Sequence, residues 1–495
     1  MNRQTIRRRA LAGILSLCVF TFSFGLPAKA ASPTVPDSAK PFRTAEGYGS
    51  HFSLSGQPVY HVTNLNDSGA GSLRDAISQP NRDIVFDVGG TISIQSPLSF
   101  PSNITVEGQT APSPGITVYG MNTSLHGVHN VIIRYMRFRE GINAPSGACS
   151  LAIDESYNVI VDHTSIEYGR WDDLHLENDR DITLQYCIIG QGIDPQRFGC
   201  LMGGDDRITI HHCLWIDNSN RNPKIKGNVE YADNVVYNWG QIGIQGAHSG
   251  AVTRKDMINN YLIAGPNSSP DFMSDFTGTD QVYSSGNYVD MNRDGQLNGR
   301  LVTEEDIRQL TATVEPQRCM DSGLTITTAR QAYQTVLNEA GSSLYRDSED
   351  QRLMDELQSL GKTGEIIRND VTREPLGTRV TTGLENAIHT AQSALSGTQV
   401  GTAPGECPQA AFDALNAAVA QADATLADST NSQTDLDAQA AALRNAITVF
   451  RNAIIPRSPI ICRFDFGIKA FQIADGYTGI TVNPKGGKNL ALGAY

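Results

Sequence analysis

Asn130-Val-Ile-Ile-Arg-Tyr-Met-Arg-Phe138 and Asn158-Val-Ile-Val-Asp-His-Thr-Ser-Ile166 open a set of five segments with one beat. The others are DITLQYCII from Asp181, RITIHHCLW from Arg207 and NVEYADNVV from Asn228, with starts 28, 23, 26 and 21 residues apart. Each reads as one short strand with core-type side chains at its second and fourth positions, followed by a polar connection. One strand per repeat of this size marks a solenoid, whose coils bury their apolar faces only by stacking on one another. Constant strand length with variable connections predicts a parallel β-helix, because stacked strands keep register while loops grow. No helical period appears between the strands, so a series of α/β units is excluded.

Outward from this block the chain changes character. Residues 34–100 read as short entry strands, as in NRDIVFDVGGTISIQSPLSF, and ITVEGQTAPSPGITVYG (104–120) adds two more with Gly/Pro turns. The repeat continues through VTRKDMINNYLIAGP and DQVYSSGNYVDM. After about residue 300, ARQAYQTVLNEAGSSL and SEDQRLMDELQSLGKTG carry helical periodicity and predict a flank that packs against the solenoid and covers its end. Residues 384–455 are Ala-rich and predict a small bundle of three amphipathic helices. Residues 456–495 return to strand-like alternation, too few to close a sandwich alone. The expected organisation is a leader over 1–30, a β-helix with its flank over 31–375, a helical module over 384–455 and a short β-rich tail, an edge decoration or part of an incomplete domain.

The leader combines Arg3, Arg7, Arg8 and Arg9 with an apolar run from Leu11 to Leu26 and an Ala28-Lys29-Ala30 cleavage pattern, which predicts a secretory signal. No other stretch is apolar enough to span a membrane, so the mature chain is expected to be extracellular, free of the membrane and monomeric. Removing residues 1–30, with four Arg, one Lys and no acid, takes the net charge from −13 to −18. Such a chain does not track a nucleic-acid backbone, and any polyanion must meet a local basic patch. Seven cysteines remain, with no C-x-x-C pair, which argues against zinc. Cys187 and Cys213 share the seventh position of successive repeats with Thr164 and Asn234, predicting an internal ladder, with a disulfide between adjacent rungs as the alternative.

Residues that follow equivalent strands form lateral columns. After the 158 strand comes Glu167-Tyr-Gly-Arg-Trp-Asp172-Asp173, and after the 207 strand comes Asp217-Asn-Ser-Asn-Arg221-Asn-Pro-Lys224-Ile-Lys226. Acids on one coil therefore face a basic cluster two coils away. That pattern suits a site where a divalent cation and cationic side chains hold an acidic ligand; the competing reading is a solvated face of weak ion pairs. His163 and His212 share the sixth strand position with Tyr186 and Asp233, which packing explains. Trp215 and Trp239 are candidates for sugar stacking, with a core role more common.

From about Ala45 to Asp370 the sequence resembles the extracellular pectate lyase superfamily, polysaccharide lyase family 1. The resemblance rests on FDVGGTI, ITVEGQTAPSPGITVYG, NVIIRYMRFREG, NVIVDHTSIEYGRWDD, ITIHHCLWIDNSNRNPKIKG and YADNVVYNWG, in that order. It implies a right-handed parallel β-helix, the pectin lyase-like solenoid, and Ca²⁺-assisted β-elimination on polygalacturonate. It further implies Arg221 as base, Lys224 and Lys226 as partners of uronate carboxylates, and Asp172 and Asp173 as the acidic pair that binds Ca²⁺. Two departures stand out. Lys226 replaces the second Arg of the family's Arg-x-Pro-x-x-Arg motif, losing the bidentate fork. Cys149 stands where the family usually carries a calcium-binding Asp. Residues 384–455 resemble the FIVAR-type helical modules of extracellular carbohydrate-active enzymes. The rival functions are a Ca²⁺-independent pectin lyase and a non-catalytic glycan-binding β-helix.

Overall fold

The computed structural model describes residues 40–246, 250–370, 382–428, 431 and 433–455. The leader over 1–30 and the tail over 456–495 lie outside them.

The repeat segments become successive rungs of one parallel sheet. His129–Arg134, Tyr157–Asp162, Arg180–Gln185, Asp206–His211 and Val229–Ala232 pair in register, with Val131, Val159, Ile182, Ile208 and Val229 aligned. These five belong to an eleven-stranded sheet 1. A second strand in most coils, from Gly90–Ser93 to Tyr288–Asp290, builds sheet 2, and a third, from Leu98–Ser99 to Met273–Ser274, builds sheet 3. Among the described residues all pairings are parallel except that of Arg300–Leu301, which lies antiparallel on the last strand of sheet 2. The chain is a parallel β-helix, as its periodicity predicts. Apolar side chains of all three sheets fill its axis, including Val131, Val159, Leu174, Ile189, Met202 and Trp215.

Sequence also explains the corners. Between sheets 1 and 2, Tyr135, His163, Tyr186 and His212 take left-handed φ values of 53°, 48°, 53° and 52°. That conformation costs bulky residues about 1 kcal/mol or more each. Their rings stack in sequence, with centroids 4.6, 4.7 and 5.1 Å apart, which offsets part of the cost. The position that follows is the expected ladder. Cys187 N–H donates to Cys213 Sγ at 3.4 Å, and Cys213 N–H to Asn234 Oδ1 at 2.9 Å. It runs on through Asn260 and Asn287, each accepting the preceding backbone N–H at 2.9 Å. Both cysteines are free thiols, so the alternative of a disulfide between these rungs is not realised.

The flank packs against the solenoid as expected, but in a different place. Helices Ala329–Glu339 and Ser348–Gln358 do not cover the end of the solenoid but pack along its side. Tyr333, Val336, Leu353 and Leu357 meet Ile188, Leu214, Val235 and Tyr261 of sheet 2. The reason is that outward positions of these short strands are themselves apolar and need a cover. Arg137 and Arg139, in sheet 2, fix the second helix through Asp347 and Asp350 near its start. The ends are closed by shorter pieces: Leu73 and Ala76 of helix Leu73–Ala76, and Ile307 of helix Glu304–Gln309, join the axial core. Helices Thr382–Ser396, Gln409–Ala427 and Gln433–Ala453 share an apolar cluster of their own, including Leu384, Leu415, Leu443 and Phe450.

Candidate active site

The candidate residues gather on sheet 3. Asp172–Glu177, Phe198–Gly203 and Lys224–Lys226 are adjacent strands, with His175, Leu201 and Lys224 aligned in one column and Glu177, Gly203 and Lys226 in the next. Ile225 points into the core, so alternation turns Lys224 and Lys226 outward. Gly203, between Glu177 and Lys226, leaves that column without a side chain at its centre. Beside it lies a cavity of about 440 Å³ lined by His175, Glu177, Asp205 and Lys226 among others.

Arg221 enters from the bend before its strand, at φ 62°. Its N–H donates to Gln245 Oε1 at 3.1 Å and its carbonyl accepts from Cys200 N–H at 2.8 Å. Its guanidinium carbon lies 4.3 Å from the centre of the Phe198 ring, while Nη1 donates to both oxygens of Asp172, at 3.0 and 2.9 Å. Burial pushes the Asp172 carboxyl up to about 6, even against the opposing pull of Arg221 and His175. Lys224 is held below the usual ammonium range, first by burial and then by Lys226 and Arg221, with Asp275 opposing. An incoming carboxylate would relieve that crowding of positive charge.

Asp173 occupies a different environment. It is wholly buried at the corner between sheets 2 and 3, its Oδ1 accepting from Gly169 N–H at 2.9 Å. Among the described residues its Oδ2 has no hydrogen-bond partner. Burial raises its carboxyl well above the usual range, and Glu167, Asp172 and Glu140 push the same way.

The stacked histidines belong elsewhere. His163 and His212 sit at the corner between sheets 1 and 2, and burial pushes His212 down to about 4. Trp215 and Trp239 are 0% exposed, in the core. Four further residues beside the site are singled out by no motif in the sequence. Phe198 underlies Arg221, Gln245 fixes its backbone, His175 bonds Asp154 through Nδ1 at 2.8 Å, and Trp171 stands 39% exposed before Asp172. Only the repeat register signalled Phe198, which pairs opposite Asp172 one coil earlier.

Comparison with known proteins bears on this groove. A protein of Aspergillus flavus named "Probable pectate lyase C" is 38% identical over 348 residues, 66% of this chain and 80% of its own length. The chain belongs to the pectate lyase family. A protein of the same name from Aspergillus terreus is 37% identical over 340 residues, 67% of this chain and 80% of that one. This pectate lyase homologue is accordingly a polysaccharide lyase. No protein-family model matches the chain. Among solved structures, jun a 1, the major allergen from cedar pollen, aligns over 60% of this chain and 92% of its own at 16% identity and a TM-score of 0.48. The thermostable pectate lyase PL 47 aligns over 63% and 98% at 16% identity and a TM-score of 0.46.

The calcium ion expected of a pectate lyase meets a poor donor set at Asp172 and Asp173. Ca²⁺ takes about 6–8 oxygen ligands. Both Asp172 oxygens are engaged by Arg221, and Asp173 is buried at the corner with Glu140 and Glu167 around it. Cys149, in line with Asp172 by extension of the Leu151–Leu174 pairing, offers a thiol that burial keeps protonated. Asp154 and Glu177 lie at the far end of the strand, about 17 Å along from Asp172 at about 3.3 Å per residue. No three His, Cys, Asp or Glu side chains among the described residues come together as a metal site. The residues present do not fit a resident calcium ion held by Asp172 and Asp173.

Proposed function

We propose that this chain is a secreted pectate lyase that cleaves polygalacturonate by β-elimination along the outer face of sheet 3. The observation that supports it is the convergence of Arg221, Lys224 and Lys226 on one short stretch of a chain whose net charge is −13. A polyanion finds no welcome over such a surface, so a local cationic strip is where it binds. In the reaction the C5 proton is removed, its electron pair forms the C4–C5 double bond, and the C4–O4 bond breaks, with O4 taking a proton from water. C5–H becomes acidic only when the neighbouring carboxylate is neutralised as negative charge builds on it. Lys224 and Lys226 supply that neutralisation, and Arg221 removes the proton. A second role for Arg221, a fixed clamp on the uronate carboxylate, is favoured by its contact with Asp172, since a guanidinium is a poor proton acceptor. Ultraviolet absorbance of the unsaturated uronate, followed on polygalacturonate and on methyl-esterified pectin, tests the activity. Product from esterified pectin alone would replace this reading with the pectin lyase one, and product from neither with a glycan-binding β-helix.

Secretion rests on the leader pattern over 1–30, and N-terminal sequencing of protein from culture medium tests it. No helix among the described residues is long and apolar enough to cross a membrane. The separate apolar cluster of the last three helices supports a FIVAR-like spacer module over 384–455, linked to the lyase domain rather than built into its core.

A further inference from the structure

We propose that Trp171 is a sugar-stacking platform at the margin of the groove, forming a binding subsite for the pyranose next to the unit whose carboxylate meets Arg221. The identity of the sugar rests on the pectate-cleaving reading above; the platform rests on the geometry.

The chain has three tryptophans. Two are wholly buried, while Trp171 keeps 39% of its surface in contact with solvent. Its place in the chain is the second observation: it immediately precedes Asp172, the residue bound to Arg221. Chain order thus sets this indole next to the residue that holds the Arg221 guanidinium.

The backbone around it is fixed. Trp171 N–H donates to Ala148 carbonyl at 2.9 Å, and Arg170 N–H donates to Glu140 Oε2 at 2.9 Å. The Arg170 side chain binds the carbonyls of Asp194, at 3.2 Å, and Ala144. Gly169 N–H is taken by Asp173. Gly147 lies against the ring, where an added Cβ would stand 3.8 Å from the indole, and its φ of +94° favours glycine. The main chain that carries the indole is therefore fixed before any ligand arrives, so a ring that stacks on it meets an apolar face on a set backbone.

Chemistry divides the labour between the two parts of the groove. Arg221, Lys224 and Lys226 hold carboxylates, an attraction that salt screens. Trp171 holds the C–H face of a pyranose by dispersion and apolar burial, which salt does not screen. Binding that survives at high ionic strength then depends on Trp171.

The test uses trigalacturonate with the full chain. Because Trp215 and Trp239 are buried, a ligand-induced change in tryptophan emission should come from Trp171 and vanish in Trp171→Phe. That variant should keep its calorimetric Kd within about threefold, since a phenyl ring still stacks. Trp171→Ala should raise KM about tenfold and leave kcat within about twofold, the mark of binding shared by ground and transition states. Its loss of affinity should widen as salt is added. An emission change that persists in Trp171→Phe, or an unaltered KM in Trp171→Ala, overturns the platform while the lyase reading stands. An emission change lost in Trp171→Phe, from a protein that makes no unsaturated product, supports the platform and sinks the lyase reading.

Discussion

Arg221 Nη1 lies 3.0 and 2.9 Å from the two carboxylate oxygens of Asp172, two coils earlier in the solenoid. The pair fixes where the guanidinium sits, with Phe198 beneath it, and removes Asp172 from the donors a metal would need. Asp172 is wholly buried and Arg221 is half-buried, with 17% of its side chain exposed, which makes loss of one partner costlier than for a surface pair.

Arg221 decides between two mechanisms. If it takes the C5 proton, Arg221→Lys should lower kcat about 100-fold or more while KM stays within about threefold, because the loss falls on the transition state. Steady-state kinetics on polygalacturonate provide the check. A several-fold rise in KM with most of kcat retained would make Arg221 a clamp. Lys226→Arg, which restores a fork for the carboxylate, should hold or lower KM.

Resident calcium would be part of the folded state and would stabilise it. Because Asp172 and Asp173 do not form such a site, adding EDTA should leave the midpoint of thermal unfolding unchanged in scanning calorimetry. A midpoint lowered by chelator and restored by Ca²⁺ would return the ion to the resting enzyme.

Glu140 links stability to pH. Burial raises its carboxyl to about 7, although its Oε2 accepts from Arg170 N–H, and among the described residues Oε1 has no partner. An acid whose folded pKa is raised contributes stability fully present below its unfolded value, about 4.5, and lost as pH rises through the folded value, about 7. Glu140→Gln removes that ionisation, so the variant should be more stable than the parent at pH above about 8, by about 1–3 kcal/mol. The gain should disappear below about pH 5. Urea unfolding across this range measures both limbs.

Asn260 tests the ladder. Its Oδ1 accepts from Asn234 N–H and its Nδ2 donates to Tyr231 carbonyl, each at 2.9 Å. Asn260→Ala leaves both groups buried and unpaired, and should cost about 2 kcal/mol or more in urea unfolding. Asn260→Asp should cost at least as much at neutral pH, because it replaces the donor with a buried charge.

Asp370 sets the cut for testing modularity. It accepts from Tyr119 Oη at 2.6 Å and from Ile142 N–H at 2.9 Å, so a chain ending there keeps its last anchor on the solenoid. This shorter chain should fold and retain its turnover of soluble polygalacturonate. Aggregation or loss of activity would make the last three helices part of the enzyme's core.

The sequence alone determined the repeat. Val131, Val159, Ile182, Ile208 and Val229 could be aligned by eye, because stacking forces one apolar position to recur in every coil. The same alignment placed Cys187, Cys213 and Asn234 on one ladder, and the acids of the 172 region two coils from Arg221. Tertiary structure decided everything that depends on where a side chain turns at a bend. Asp172 and Asp173 are neighbours in sequence, yet one reaches Arg221 and the other is bonded into the corner through Gly169. Both stand at the start of the strand Asp172–Glu177, and periodicity does not report which of them the guanidinium two coils later will meet. Three tryptophans look alike in the sequence until folding buries Trp215 and Trp239 and leaves Trp171 at the margin of the groove. The flank helices likewise carry the periodicity of any amphipathic helix. Only the apolar outer face of sheet 2, with Arg137 and Arg139 waiting for Asp347 and Asp350, fixes them to the side of the solenoid rather than its end.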